Sequence, residues 1–365
     1  MKLRWSILLL TLPACIAPQS RLGRSSFNRA DEVKGERAYA RAMDGAPEEA
    51  VFRADTESAY WLREAADQGH LQAQSQLGYA YANGNGVPRN PEEAVHWFQS
   101  AAEQGDATAA FNLASMLEEG LGVRQDFGLA AKWYRVSAEG GSEEAKVRLG
   151  SLLIEGTGVR QNPAQALSWL EGPAEAGNPV AQREMGRCAL WGLGMDMNPA
   201  LAASWLESAA TSGDAEAQFL LGWMHAEAVG LPRDELRAVG WYAQAAEREH
   251  PEAIHNLGVH ALEGRGMARD LGQGFEYIER AARLGFPMAQ EVLAELYLEG
   301  KGVRRDEYAA AQWSYEAGCS YADEGGQQDL ARHCLDQALM HFPGTSAQRA
   351  ASMPRLKALL EQLPR

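Results

Sequence analysis

AQSQLGYAYANGNGVPRNPEEAVHWFQSAAEQG, residues 73–105, decides the fold. Ala73, Leu77, Gly78 and Tyr81 recur at the spacing of one helix face, and Gly84 stops that helix. The loop that follows ends at Asn90, a capping residue, with Pro91 in the first helical turn behind it. Ala94, Trp97, Ala101 and Ala102 then make a second apolar stripe, closed by Gly105. The segment therefore reads as helix, tight loop, helix, tight loop. His70 stands at the first cap, with Asp106, Ser142, Asn178, Asp214, His250 and Phe286 at the equivalent places.

Outward from this segment the pattern returns every 36 residues. Trp61, Trp97, Trp133, Trp169, Trp205, Trp241 and Trp313 form one ladder, with Tyr277 on the remaining rung. The second cap is Asn90, Asp126, Asn162, Asn198, Asp234, Asp270 and Asp306, without exception Asn or Asp. Gly-x-Gly keeps the same register, and only Ala228/Gly230 departs from it. A fixed period of this length with no insertion marks stacked two-helix units, none of which buries its faces alone. The expected fold is all-α, an α-solenoid from about Ala59 to Ser320. The ladder tryptophans are expected to fill the space between units.

The motif A-x3-LG-x2-Y-x2-G-x-GV-x2-[ND]-x3-A-x2-W-x3-AA-x2-G stands almost complete from Ala73, and again from Ala145, Ala253 and Ala289. It resembles the Sel-1-like repeat family, relatives of the tetratricopeptide repeats. The resemblance implies a right-handed superhelix with a concave groove used for protein–protein contacts. On this reading residues 31–69 are a degenerate first repeat, 70–321 are seven full repeats, and 322–365 are capping helices. Gln327–His341 and Pro354–Leu363 are the two capping segments, with Phe342-Pro343-Gly344 between them.

Residues 1–14, MKLRWSILLLTLPA, read as a signal peptide, with Lys2 and Arg4 ahead of an apolar run too short to span a bilayer. Leu12, Ala14 and Cys15 resemble a bacterial lipobox, although Pro13 departs from its commonest form. That resemblance implies acylation of Cys15 and a tether over residues 15–30. Ile16 after the cysteine points to the outer membrane, facing the periplasm or the cell surface. The alternative is an ordinary signal peptide and a soluble periplasmic chain.

The formal net charge of −15 argues against nucleic-acid binding, because such a surface repels phosphate backbones. Cys188, Cys319 and Cys334 show no zinc-ligand spacing, and pairing of Cys319 with Cys334 stays open. No catalytic motif is present, and no cofactor or metal is expected. His255 and His260 fall about 140° apart on a helix, too far round to share an ion. Glu119, Glu155, Glu227, Glu263 and Glu299 recur before the loop, as a loop-capping column or as a strip for a cationic ligand.

Trp191 and Trp223 break the ladder. Both lie on first helices of their repeats, with Arg187, Asn256 and His260 nearby in register. Tryptophan and arginine are frequent anchors of protein interfaces. Arg187, Trp191, Trp223, Asn256 and His260 are therefore the candidate binding patch, against the alternative that the tryptophans fill local packing gaps. The functional expectation is a non-catalytic adaptor of the bacterial cell envelope. Its partners would be envelope or secretion components, or host proteins. The main alternative is a small-ligand repeat protein of the β-lactam-recognising kind, but the regular cysteine pairs of those relatives are absent.

Overall fold

The computed structural model describes residues 29–43, 56–324, 327–345, 348 and 351–363. The signal peptide, Cys15 and its tether lie outside the described residues. The fold is an all-α solenoid, and no strand occurs among the described residues. Two compact units divide it: one runs to Ala176 and takes in Leu193–Met195, the other holds Gly177–Gly192 and everything from Asp196.

In the N-terminal unit, α1 (Arg29–Met43) packs on α2 (Thr56–Asp67). Then come the pairs α3 (Leu71–Asn83) with α4 (Pro91–Glu103) and α5 (Ala107–Glu119) with α6 (Phe127–Glu139). The pair α7 (Glu143–Glu155) with α8 (Pro163–Glu175) completes it. The C-terminal unit pairs α9 (Pro179–Trp191) with α10 (Pro199–Thr211) and α11 (Ala215–Glu227) with α12 (Glu235–Glu247). It continues with α13 (Pro251–Glu263) on α14 (Leu271–Arg283) and α15 (Pro287–Glu299) on α16 (Glu307–Glu324). It closes with α17 (Gln328–His341) and α18 (Leu356–Gln362).

The caps follow the Asn/Asp column. Asn90 accepts from the Glu92 and Glu93 amides at 3.1 and 3.3 Å, and Asp306 does the same for Tyr308 and Ala309. The first-helix column divides: Asp106, Ser142, Asn178 and Asp214 cap with their side chains, while His250 and Phe286 do not. The His250 ring instead lies between Glu216 and Glu252, at 3.0 and 3.2 Å.

The ladder tryptophans are not the deepest residues. Trp97 is buried, but Trp61, Trp133, Trp169, Trp205, Trp241 and Trp313 are only partly covered. The residue after most of the ladder aromatics carries the core: Phe98, Tyr134, Leu170, Leu206, Tyr242 and, after Tyr277, Ile278 are each at most 1% exposed, while Ser314 follows Trp313. Each points back at its own repeat's first helix. A Cβ on Gly78 would meet the Phe98 ring at 2.7 Å, and one on Gly258 would meet Ile278 at 2.7 Å. The small residue on one helix is thus the socket for a large one on the other.

The loops join neighbouring repeats. A Cβ on Gly122 would come within 2.3 Å of the Pro91 carbonyl carbon, and one on Gly266 within 2.1 Å of the Glu235 oxygen. From Gly122 to Gly302 the second loop glycine therefore rests on the first turn of the preceding repeat's second helix.

Cys319 and Cys334 are free thiols, so the disulfide left open by the sequence is not formed. Cys319 packs with Tyr315, Leu335, Phe342 and Met353, whereas Cys334 belongs to a separate cluster with Tyr321 and Ala331. Burial pushes the Cys334 thiol up to about 12 and the Cys188 thiol up to about 11, so both stay protonated. The end of the solenoid is tied by Arg355, whose amide donates to the Tyr315 hydroxyl and whose guanidinium grips Asp323 at 2.6 and 2.9 Å.

Candidate binding face

Counted from its cap, each first helix turns positions three, seven, ten and eleven toward its own repeat. Positions two, nine and thirteen form the opposite, partly open strip, with position five beside it half-covered in most repeats and buried as Val147 and His255. In the C-terminal unit neighbouring first helices touch along it. Arg183 Nη1 reaches Asp214 Oδ2 at 2.8 Å, from α9 to α11, and the His250–Glu216 contact joins α11 to α13.

Two of the five candidate residues meet directly. The Arg187 guanidinium lies 5.8 Å from the Trp191 ring centroid, a cation–π pair one helical turn apart. Trp191 is 45% exposed, a high value for so large an apolar ring. Trp223, half-buried, occupies on α11 the same position that Arg187 occupies on α9.

Asn256 is half-buried beside the Tyr242 hydroxyl, whose pKa it lowers against the larger upward push of burial. His260 does not belong to the face. It is 3% exposed, its Nδ1 lies 3.0 Å from the Arg265 carbonyl in its own loop, and its ring meets Tyr242 edge-on. Its column elsewhere reads Ala80, Met116, Leu152, Cys188, Met224 and Leu296, all inward-facing. Burial lowers its pKa, which keeps the ring neutral.

Glu184 is the residue that sequence reasoning missed. It is 2% exposed and sits on α9 between two arginines. Arg183 donates to it from Nε and Nη2 at 3.2 and 2.9 Å, and Arg187 from Nη1 at 3.2 and 3.3 Å. A carboxylate this deep is tolerated only when paired and hydrogen-bonded. The pairing fixes the Arg187 head beside Trp191 and lowers the ordering cost of any contact there.

The recurrent glutamates before the loop act mostly locally. Glu263 pairs with Arg265 and Glu299 with Lys301, both at 2.6 Å, and Thr157 donates to Glu155 at 3.3 Å.

Comparison with known proteins then supplies the class. The Sel1 repeat pattern matches residues 42–70, 71–106, 107–142, 143–178, 179–214, 215–250, 251–286 and 287–320. The chain belongs to the Sel1 repeat family. The first of the eight matched repeats, 42–70, falls in the stretch read from sequence as degenerate. A Sel1 repeat protein from Oxalobacter formigenes is 30% identical, with a TM-score of 0.57, over 70% of this chain and 97% of that one. A protective antigen of uropathogenic Escherichia coli strains, displaying an SLR fold, is 23% identical over 92% of this chain and 88% of its own, with a TM-score of 0.48. A search of curated proteins finds no match. Proteins of this repeat class are generally protein-interaction scaffolds, typically without catalysis.

Proposed function

We propose that the chain is a non-catalytic scaffold of the bacterial cell envelope, held at the outer membrane by acylated Cys15, which captures protein partners on the first-helix face of its C-terminal unit. The observation that carries the binding reading is the exposed Trp191 ring under a guanidinium already fixed by a buried carboxylate. Such a preordered aromatic–arginine pair is how interface anchors are built. Sel1 repeat proteins generally bind other proteins, which supports the same reading. The envelope location rests on the leader sequence alone.

The test is a photo-crosslinking residue placed in living cells at exposed Glu227, the α11 counterpart of Trp191, followed by mass spectrometry of the adducts. Discrete protein adducts are expected, absent from a Trp191→Ala/Trp223→Ala chain that keeps its melting temperature. Loss of folding in that variant would show the tryptophans to be packing residues. Cys15→Ser should leave the membrane fraction, and retention there would overturn the lipid anchor.

A further inference from the structure

The chain's net charge of −15 is not evenly spread. In the N-terminal unit, residues 120–138 and 156–170 hold four cations, Arg124, Lys132, Arg135 and Arg160, against one carboxylate, Asp126. All four cations are exposed, and none has an ion pair among the described residues. Lys132 and Arg135 stand on α6, beside an open cleft of about 590 Å³. The cleft is otherwise lined by small or apolar residues, among them Leu129 and Val159, and by Asp126, whose Oδ1 accepts the Leu129 amide at 2.8 Å. Arg160 directly follows Val159 in the same loop. The nearest carboxylates in register are Glu92 on α4, Glu139 a turn past Arg135, and Glu171 on α8, and none pairs with these cations. Two aliphatic side chains share the surface. Leu129 and Val136 are each 38% exposed and stand seven residues apart, so with Lys132 they form one stripe along α6.

We infer that this stripe of α6 rests on a membrane leaflet that carries anionic phospholipid. Lys132 and Arg135 meet headgroup phosphates, Arg124 and Arg160 add attraction from the loops, and Leu129 and Val136 enter the headgroup layer. Exposed aliphatics flanked by cations are the composition of helices that lie in a membrane interface. The aliphatic pair favours a leaflet over a purely acidic polypeptide, because headgroup phosphates and apolar chains lie side by side there. Acidic residues elsewhere in the chain act weakly on this patch, since charges are screened over about 8 Å at physiological salt. The setting rests on the lipid-anchored reading above: acylation keeps α6 beside the leaflet, where a weak second contact suffices to orient the N-terminal unit.

The test is flotation of the mature chain carrying Cys15→Ser, so that no acyl group contributes, with vesicles of phosphatidylcholine alone or with added phosphatidylglycerol. Binding about tenfold stronger to the anionic vesicles is expected, with an advantage that shrinks as salt is raised. Lys132→Glu should abolish the preference, and Leu129→Ser should weaken binding about threefold. Arg304→Glu makes a similar charge change at an exposed position of the C-terminal unit that has no ion pair among the described residues, and should leave binding nearly unchanged. Equal losses in Lys132→Glu and Arg304→Glu would reduce the effect to net charge and overturn the inference. So would the lack of any preference for anionic vesicles, or capture of a glutamate-rich peptide in their place. A salt wash removes this contact but not an acyl anchor, so the washed membrane fraction of Cys15→Ser cells reports the anchor alone. Vesicle binding that fails while the wild-type chain stays in the washed membranes would sink this inference and leave the anchor standing.

Discussion

Ala228 and Glu249 hold left-handed backbone at φ 56° and 58°, in columns that other repeats fill almost entirely with glycine. An L-residue there crowds its Cβ against the following carbonyl, at a cost of about 1–2 kcal/mol. Glycine removes that crowding, but part of the gain is offset because glycine loses more chain entropy on folding. Ala228→Gly and Glu249→Gly should each stabilise the chain by about 1 kcal/mol, read as a higher urea midpoint at unchanged slope. Unchanged or lower midpoints would mean that contacts of the two side chains outweigh the strain. The candidate site shows the same mixture of legible and hidden residues. Arg187 and Trp191 stand out in sequence because they sit four apart and break a column. Glu184 is hidden because a glutamate in a column that also holds Gln76, Arg148 and Asn256 reads as solvated; its burial depends on Arg183, Arg187 and the Asp214 cap arriving together in space. His260 falls off the face for a simpler reason: the apolar character of its column outweighs the polarity of one imidazole that finds a carbonyl in its own loop.

At the scale of the element, the helix limits are plain in the sequence. The Asn/Asp caps and the glycines that follow each helix are local chemistry, and local chemistry survives in any context. Which large residue enters the core is not so plain, because the ladder tryptophans and the residues after them are both bulky. The crossing of paired helices decides it, with small residues at the point of closest approach. The α13/α14 crossing is the sharpest case, since Gly258 and Gly274 both stand there. A Cβ on Gly274 would sit 2.6 Å from Leu262, and one on Gly258 would sit 3.1 Å from the Ile278 backbone nitrogen. Gly258→Ala should therefore destabilise by about 1–3 kcal/mol despite alanine's better helix propensity. Gly240 lies on the open side of α12, where a Cβ would meet nothing within 4 Å outside its own helix backbone. Gly240→Ala should stabilise by about 1 kcal/mol. Thermal unfolding of the two variants side by side checks the pair, and a shift of equal sign in both would defeat the argument.

For the molecule as a whole, acid is the natural stress. His255 is 6% exposed, its Nδ1 has no partner, and burial alone pushes its pKa down to about 4 from the ordinary 6.5. The unfolded chain binds this proton more readily than the folded one. The stabilisation is complete above about pH 6.5 and drains away as pH falls toward 4, to a total of about 3 kcal/mol. Burial lowers His70 and His260 in the same direction. Glu216, held below the usual carboxylate range chiefly by its bond to His250, adds a further loss at the acidic end. His255→Phe puts in the residue that Phe111 and Phe219 supply at this position in other repeats. It should flatten the fall in urea midpoint between pH 6.5 and 4, and an undiminished fall would exclude His255 as its source.

The seating of each loop on the preceding repeat gives the array a direction. A repeat leaving the ribosome finds its seat already present, because the helix it rests on was made about one repeat earlier. Synthesis from the amino end thus supplies every loop with a finished support, and assembly can follow translation step by step, with little exposed apolar surface waiting at any moment.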